Sequence, residues 1–292
     1  MADSKLKQMI EAREFITAPG VFDMISTVIA DKMGFSALYV TGYGVSASHL
    51  GLPDAGLMTY TDIESRIGMI VNGSNTPVIA DADTGYGGLL NVRHTVQGYE
   101  RLGVSAIQIE DQEYPKKCGH ILGRRVISTD DMVTKIKVAC DTRQSEDFLI
   151  IARTDSRTTL GLDEALMRSE AYAEAGADVI FIESPESVDE MIKINKIIGK
   201  PTLANMVSGG RTPILSSEKL AEIGFSIGIH PALGFLAAGK ALKIAYTELQ
   251  QTGNIVKAEL EDFMEFSKIM GFEDVWEFDK RWAKADKAEH RT

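Results

Sequence analysis

The feature that most constrains this chain is a recurring unit: a glycine, one or two small or polar residues, then a short apolar run. It appears as GFSALYVTG (34–42), GVSAIQIED (103–111), GADVIFIES (176–184) and GFSIGIHP (224–231). A helical segment precedes each unit, for example LLNVRHTVQGYERL (89–102) or DEALMRSEAYAEA (163–175). The glycine suits a helix C-cap, where a left-handed backbone is cheapest without a Cβ. The apolar run suits a strand buried on both faces. Four more such runs lie between them: FITAPG, TPVIADAD, FLIIARTD and PTLANM. Alternation of this kind predicts an α/β fold, a closed (β/α)8 TIM-type barrel. The open doubly wound sheet is disfavoured, because no GxGxxG follows the first strand. Residues 1–257 are expected to form the barrel. Residues 258–292, with apolar residues three and four apart in LEDFMEFSKIMGFEDVWEFDKRW, are expected to form a helical extension of the same domain. That extension buries its stripe against its own barrel or a neighbouring subunit.

The apolar runs turn polar at their C-terminal ends, supplying Thr41, Asp81 and Asp83, Glu110 and Asp111, Arg153 and Asp155, Glu183, Asn205 and His230. Barrel active sites lie at that face. Asp81 and Asp83 share one side if their strand stays regular, and with Glu110 they make a carboxylate cluster. Like charges so close require a cation or a retained proton. Hard oxygen ligands without a histidine pair or thiolates suit Mg²⁺, with Mn²⁺ as the alternative. Asp54, in GLPD, lies just past the second strand and could add a water-mediated contact.

The loop PKKCGH (115–120) sets Cys118 among lysines and His120. Neighbouring cations lower a thiol pKa and allow proton exchange near neutrality. Gly119 lets the loop close. Cys140 reads as apolar filler. Arg153 can grip a substrate carboxylate or serve as a structural ion pair with Asp155 or Glu183. Thr41, Gly42 and Tyr43 in TGYG, together with Asn205 and Gly209–Arg211, could hold carboxylate oxygens through backbone N–H groups. No lysine ends a strand, which argues against a Schiff-base aldolase.

Net charge is −11, which opposes general binding to nucleic acid or anionic membrane while leaving room for a small carboxylate substrate. Two cysteines make no disulfide scaffold, and the N-terminus has no secretory apolar run. No stretch is apolar enough to span a bilayer, so a cytoplasmic enzyme is expected.

DADTGYGG (81–88), IEDQ (109–112), PKKCGH and ARTD (152–155) together resemble the isocitrate lyase and phosphoenolpyruvate mutase superfamily, over about Ala18 to Gly239. The resemblance implies a (β/α)8 barrel, a homotetramer with its last helices exchanged between subunits, and Mg²⁺ held at Asp81, Asp83 and Glu110, partly through water, with Asp54 nearby. It implies a general acid and base at Cys118 on a mobile loop, and substrate contacts at Thr41, Gly42, Tyr43, Gly119, His120, Arg153, Glu183 and Asn205. KKCGH favours a C–C lyase over phosphonomutase chemistry. KKCGHILGR, ANMVSGGRTP and TGYGVSASHLGLPD look closer to the 2,3-dimethylmalate lyases, which yield pyruvate and propionate. Methylisocitrate lyases carry an arginine clamp where this chain has Leu236 in HPALGFL. Methylisocitrate cleavage, oxaloacetate hydrolysis or decarboxylation, and a non-catalytic metabolite-binding barrel are the competing readings. Tyr39, Tyr43 and Glu183 compete for the substrate hydroxyl proton.

Overall fold

A computed structural model describes residues 3–119, 121, 123–256 and 258–282. The chain divides into two compact units, the first ending at Gly239 and the second starting at Lys240.

The first unit is a closed barrel of parallel strands in sequence order: β1 (Ile16–Val21), β2 (Leu38–Val40), β3 (Val78–Asp81), β4 (Ala106–Glu110), β5 (Leu149–Thr154), β6 (Val179–Ile182), β7 (Thr202–Asn205) and β8 (Ile227–His230). β8 pairs back to β1 through Ile16 with Ile227 and Pro19 with His230. All the apolar runs singled out in the sequence become strands. The glycines close the preceding turns as expected: Gly103 (φ 90°) caps the helix Leu89–Leu102 and Gly224 (φ 111°) the helix Ser217–Ile223.

Strand periodicity sorts side chains into two cores. Ile16, Ala18, Tyr39, Ile79, Ala106, Leu149, Ile151, Val179, Phe181, Leu203, Ile227 and Ile229 fill the barrel interior. Leu6, Met9 and Ile10 of the helix Lys5–Glu11 join them, closing the end where the strands begin. The alternate residues Val40, Val78, Ala80, Ile107, Ile109, Ile150, Ala152, Ile180 and Ile182 pack outward against helices. Each buried valine or isoleucine among them contributes about 1.5–3 kcal/mol.

The second unit contains the later part of the helix Leu233–Thr252, then Phe263–Ile269 and Phe272–Trp282. Asp262 caps the middle helix by accepting the Met264 and Glu265 N–H groups at 2.9 and 3.0 Å. The last two helices bury no residue, and Phe263, Phe272, Val275, Phe278 and Trp282 stay exposed. Among the described residues no helix is long and apolar enough to cross a membrane.

Candidate active site

The inward parity of each strand carries through to its C-terminal end. From Tyr39 it reaches Thr41, from Ile79 Asp81, from Ala106 Gln108 and Glu110, from Ile151 Arg153, from Phe181 Glu183, and from Leu203 Asn205. These side chains meet over the apolar interior. Thr41, Asp81, Arg153, Glu183 and Asn205 line one cavity of about 190 Å³, joined by Tyr43, Asp54, Lys116, Cys118 and Gly119. That is below the range of pockets for drug-sized ligands and suits a molecule of a few carbons. The rest of its wall is apolar: Ile121, Val207, Ile229, Pro231, Ala232, Phe235 and Leu236.

Asp111 has the opposite parity to Glu110 and points away. It accepts from Thr154 Oγ1 at 2.7 Å, Tyr172 OH at 2.8 Å and the Asp155 N–H at 2.9 Å, which makes it a scaffold group. β3 does not stay regular past Asp81. Asp83 takes a positive φ of 47° and donates its N–H to Asp81 Oδ1 at 3.0 Å. The two acids remain neighbours: a Cβ on Gly42 would lie 2.8 Å from Asp81 Oδ2 and 3.4 Å from Asp83 Oδ1.

The acids are buried and electrostatically crowded. Burial, reinforced by Asp81 and Asp54, raises the Asp83 pKa to about 7 even though Lys116 opposes it. Burial raises Glu110 well above the carboxylate range against the pull of Arg153 and Lys116, and Glu110 Oε1 is buried with no hydrogen-bond partner. Among the described residues, no three acidic, histidine or cysteine side chains converge to ligate one ion. A cation already enters the cluster from the protein. Lys116, only 4 % exposed, bonds Asp54 and stands 2.7 Å from Asp83 Oδ1. Sequence reading placed both lysines of PKKCGH beside the thiol. The fold turns Lys116 into the acids and leaves Lys117 exposed, donating to Gly123 O at 3.0 Å.

Arg153 makes the structural pairings expected of it and also lines the cavity. Its Nε and Nη2 donate to Asp155 at 2.9 and 3.0 Å, the structural pairing. Its Nη1 lies 3.4 Å from Glu110 Oε2 and its Nη2 lies 3.3 Å from Glu183 Oε2, while the guanidinium sits over the Phe181 ring at 5.0 Å. Asn205 Nδ2 and Ser184 Oγ fix the Glu183 carboxylate at 2.9 and 3.0 Å.

The thiol loop lies over this floor. The Cys118 N–H donates to Asp54 O at 3.1 Å, and Gly119 O lies 3.3 Å from Ser184 Oγ. Gly119 is needed for close approach: a Cβ there would lie 2.3 Å from Arg153 Nη2 and 2.9 Å from Glu183 Oε2. Gly119→Ala should therefore hold the loop off the floor and lower kcat/KM by about 10²-fold, with the melting temperature little changed. Steady-state kinetics beside thermal denaturation tests this, and unaltered kinetics would refute the closure. The expected His120 contact lies outside the described residues.

Other expectations fare differently. The Gly42 N–H is taken by Asp81 Oδ2 at 3.3 Å. Gly209–Arg211 stand outside the cavity lining, and Arg211 pairs with Glu186 at 3.1 Å. Tyr39 is disfavoured as a base, because burial and then Asp81 raise its pKa far above the ordinary value and its hydroxyl donates to Gln108 Oε1 at 2.7 Å. Cys140 is half-buried and donates to Gly176 O at 3.3 Å, as filler should. Sequence reading missed Gln108 and also Arg124, which bonds Asp155 and donates to Thr158 Oγ1 at 2.6 Å.

A parallel barrel that gathers acids, an arginine and a thiol at its C-terminal face defines a barrel-enzyme site. The chain belongs to the phosphoenolpyruvate phosphomutase family, whose profile matches residues 6–250. It is 48% identical to 2,3-dimethylmalate lyase of Eubacterium barkeri, covering 96% of this chain and 98% of that one. It is 39% identical to 2-methylisocitrate lyase of Aeropyrum pernix over 97% of this chain and 90% of the relative. A solved oxaloacetate acetylhydrolase, bound to the inhibitor 3,3-difluorooxalacetate, superposes with a TM-score of 0.90 at 34% identity, covering 95% of each chain.

Proposed function

We propose that this chain is a divalent-metal-dependent C–C lyase that cleaves a 2-hydroxy dicarboxylate with alkyl substituents, of the 2,3-dimethylmalate type, to pyruvate and a short carboxylate such as propionate. The observation that carries this reading is the mixed lining of the cavity, where Asp54, Asp81, Glu183, Arg153 and Cys118 share one space with an alkyl and aryl wall that includes Leu236.

The donor set fits Mg²⁺ or Mn²⁺. The residues that would hold it are Asp81, Asp83 and Glu110, with Asp54 behind them. The buried Glu110 Oε1, which has no hydrogen-bond partner, is an acceptor open to such an ion. Because the carboxylates do not converge, part of the contact would run through water. Such an ion supplies Lewis acidity at the 2-oxygen and its neighbouring carboxylate. The protein's own groups do the rest. Arg153, which lines the cavity, orients a carboxylate. Asn205 and Glu183 bound the reacting end. The thiol loop excludes water, and Cys118 delivers the proton to the carbon freed when the C–C bond breaks. His120 is assigned the charge developing on the departing carboxylate, on the resemblance alone. Thr41 and Tyr43 also line the cavity, with the Tyr43 ring 5.0 Å from that of Phe235.

The test is a substrate panel of 2,3-dimethylmalate, 2-methylisocitrate and oxaloacetate with Mg²⁺, with pyruvate, propionate, succinate, oxalate and acetate measured. Dimethylmalate should be consumed fastest, and chelation should stop turnover until Mg²⁺ returns. Oxalate and acetate as the main products would replace this reading with the oxaloacetate one. Leu236 lines the cavity, so no guanidinium stands there for a third carboxylate. Leu236→Arg should raise the KM for dimethylmalate about tenfold and improve methylisocitrate binding. No change in that preference would show that the Leu236 wall does not select.

A homotetramer that exchanges its last helices belongs to the same reading, supported by the exposed Phe263, Phe272, Phe278 and Trp282. A monomeric sedimentation coefficient would remove it. So does placement in a reducing cytoplasm, which suits two cysteines outside any disulfide.

A further inference from the structure

From the cavity lining a buried polar chain runs into the barrel, and its middle link, Gln108, has no part in the chemistry proposed above. Gln108 points into the barrel from β4 and is fully buried. Its Oε1 accepts the Tyr39 hydroxyl at 2.7 Å, and its Nε2 donates to Asp81 Oδ1 at 3.3 Å. Tyr39 comes from β2, Asp81 from β3 and Gln108 from β4, so one amide ties together three adjacent strands.

The direction of these bonds follows from chemistry. Asp81 Oδ1 already accepts the Asp83 N–H at 3.0 Å, and Asp81 Oδ2 accepts the Gly42 N–H at 3.3 Å. Asp81 is therefore an acceptor, and the Gln108 atom facing it must be the NH₂. The reverse amide orientation would bury two acceptors against each other, at a cost of about 1–3 kcal/mol. With Nε2 committed to Asp81, Oε1 must face Tyr39, and a carbonyl oxygen can only accept. The Tyr39 hydroxyl has one proton, and that proton is given to Gln108. What the Tyr39 oxygen has left is lone pairs, and Tyr39 lines the cavity.

We infer that Gln108 is a positioning residue that fixes Tyr39 as a hydrogen-bond acceptor in the cavity, so that Tyr39 selects ligands presenting a hydroxyl donor. On the lyase reading above, that donor is the 2-hydroxyl of the diacid. An analogue without it leaves the Tyr39 lone pairs unmatched. A site that hydrogen-bonds a substrate hydroxyl rejects the analogue lacking it far more strongly than an apolar site does. Glutamine serves here because it has one donating and one accepting end. An apolar residue of the same length would leave the Tyr39 proton free to turn into the cavity and convert an acceptor into a donor.

The experiment compares wild type with Gln108→Met, Tyr39→Phe and the double variant. It measures kcat and KM for 2,3-dimethylmalate and the inhibition constant of 2,3-dimethylsuccinate, which lacks the hydroxyl. Each single variant should lose about ten- to a hundredfold in kcat/KM for the hydroxylated diacid, with dimethylsuccinate inhibition changed by less than about threefold. The double variant should lose no more than the worse single one, because both act through the same oxygen. Equal weakening of both ligands would reduce Gln108 to a structural residue, and additive losses would uncouple it from Tyr39. A wild type that turns over no hydroxy diacid would overturn the lyase reading instead. The polarity is then judged by neutron diffraction of the deuterated protein. Deuterium between Tyr39 Oη and Gln108 Oε1 supports the inference, and deuterium directed into the cavity overturns it.

Discussion

Cys118→Ser is expected to lower kcat by about 10²–10⁴-fold while diacid affinity stays within about threefold. The backbone at this residue is held independently of its side chain. Its N–H donates to Asp54 O at 3.1 Å, and its carbonyl accepts the Ile121 N–H at 2.9 Å. Serine is nearly isosteric, so the loop should still close over Arg153 and Glu183. What serine cannot do is give up a proton readily, since its hydroxyl lies far above the ordinary thiol pKa of about 8.5. Loss confined to kcat is the signature of a group needed only when the carbon is protonated. Pyruvate release under saturating diacid, set beside calorimetric binding of the same diacid to the variant, separates the possibilities. Full turnover would remove Cys118 from the chemistry. A raised KM at constant kcat would make it a binding contact.

The barrel was legible because its strands are apolar on both faces and its turns carry glycine where φ is positive, as at Gly103 and Gly224. The polar ends were legible too, but which of them face inward required counting back along each strand. Glu110 and Asp111 are adjacent acids with opposite fates, one turned inward beside Arg153 and one bonded to Thr154 and Tyr172. The count fails where a strand stops being regular, as at Asp83 with its φ of 47°. Two other residues were hidden for different reasons. Lys116 and Lys117 are identical side chains in succession, and only the path of the loop decides which one enters the acids. Gln108 sits inside an otherwise apolar run, and nothing local marks a neutral amide as the link between Tyr39 and Asp81. The tail was readable as helix, yet its apolar stripe could not reveal what covers it.

The largest loss of stability is expected at Asp155, which touches no part of the alkyl wall. Its carboxylate is fully buried. It receives Arg153 Nε at 2.9 Å and Nη2 at 3.0 Å, and it bonds Arg124 from the far end of the thiol-loop segment. Both guanidiniums are themselves buried. Asp155→Ala leaves Arg153 with Glu110 and Glu183 but takes from Arg124 its one carboxylate partner among the described residues. A buried charge left without its partner costs about 3–5 kcal/mol, which in a chain of this size lowers the melting temperature by roughly 6–15 °C. The pH dependence gives the sign. Burial alone would raise the Asp155 pKa, but Arg153 and Arg124 outweigh it and hold the group below its ordinary 3.8. A depressed folded pKa contributes stability that is present above the unfolded value and is lost as the pH falls through the folded one. Wild type should therefore shed this contribution as the pH falls below about 4, whereas Asp155→Asn, which cannot ionise, should start lower and lose less over the same interval. Denaturant unfolding of both proteins across that acid range decides it. Parallel curves would mean that Asp155 is not the counter-ion anchoring the thiol loop to the arginine pair.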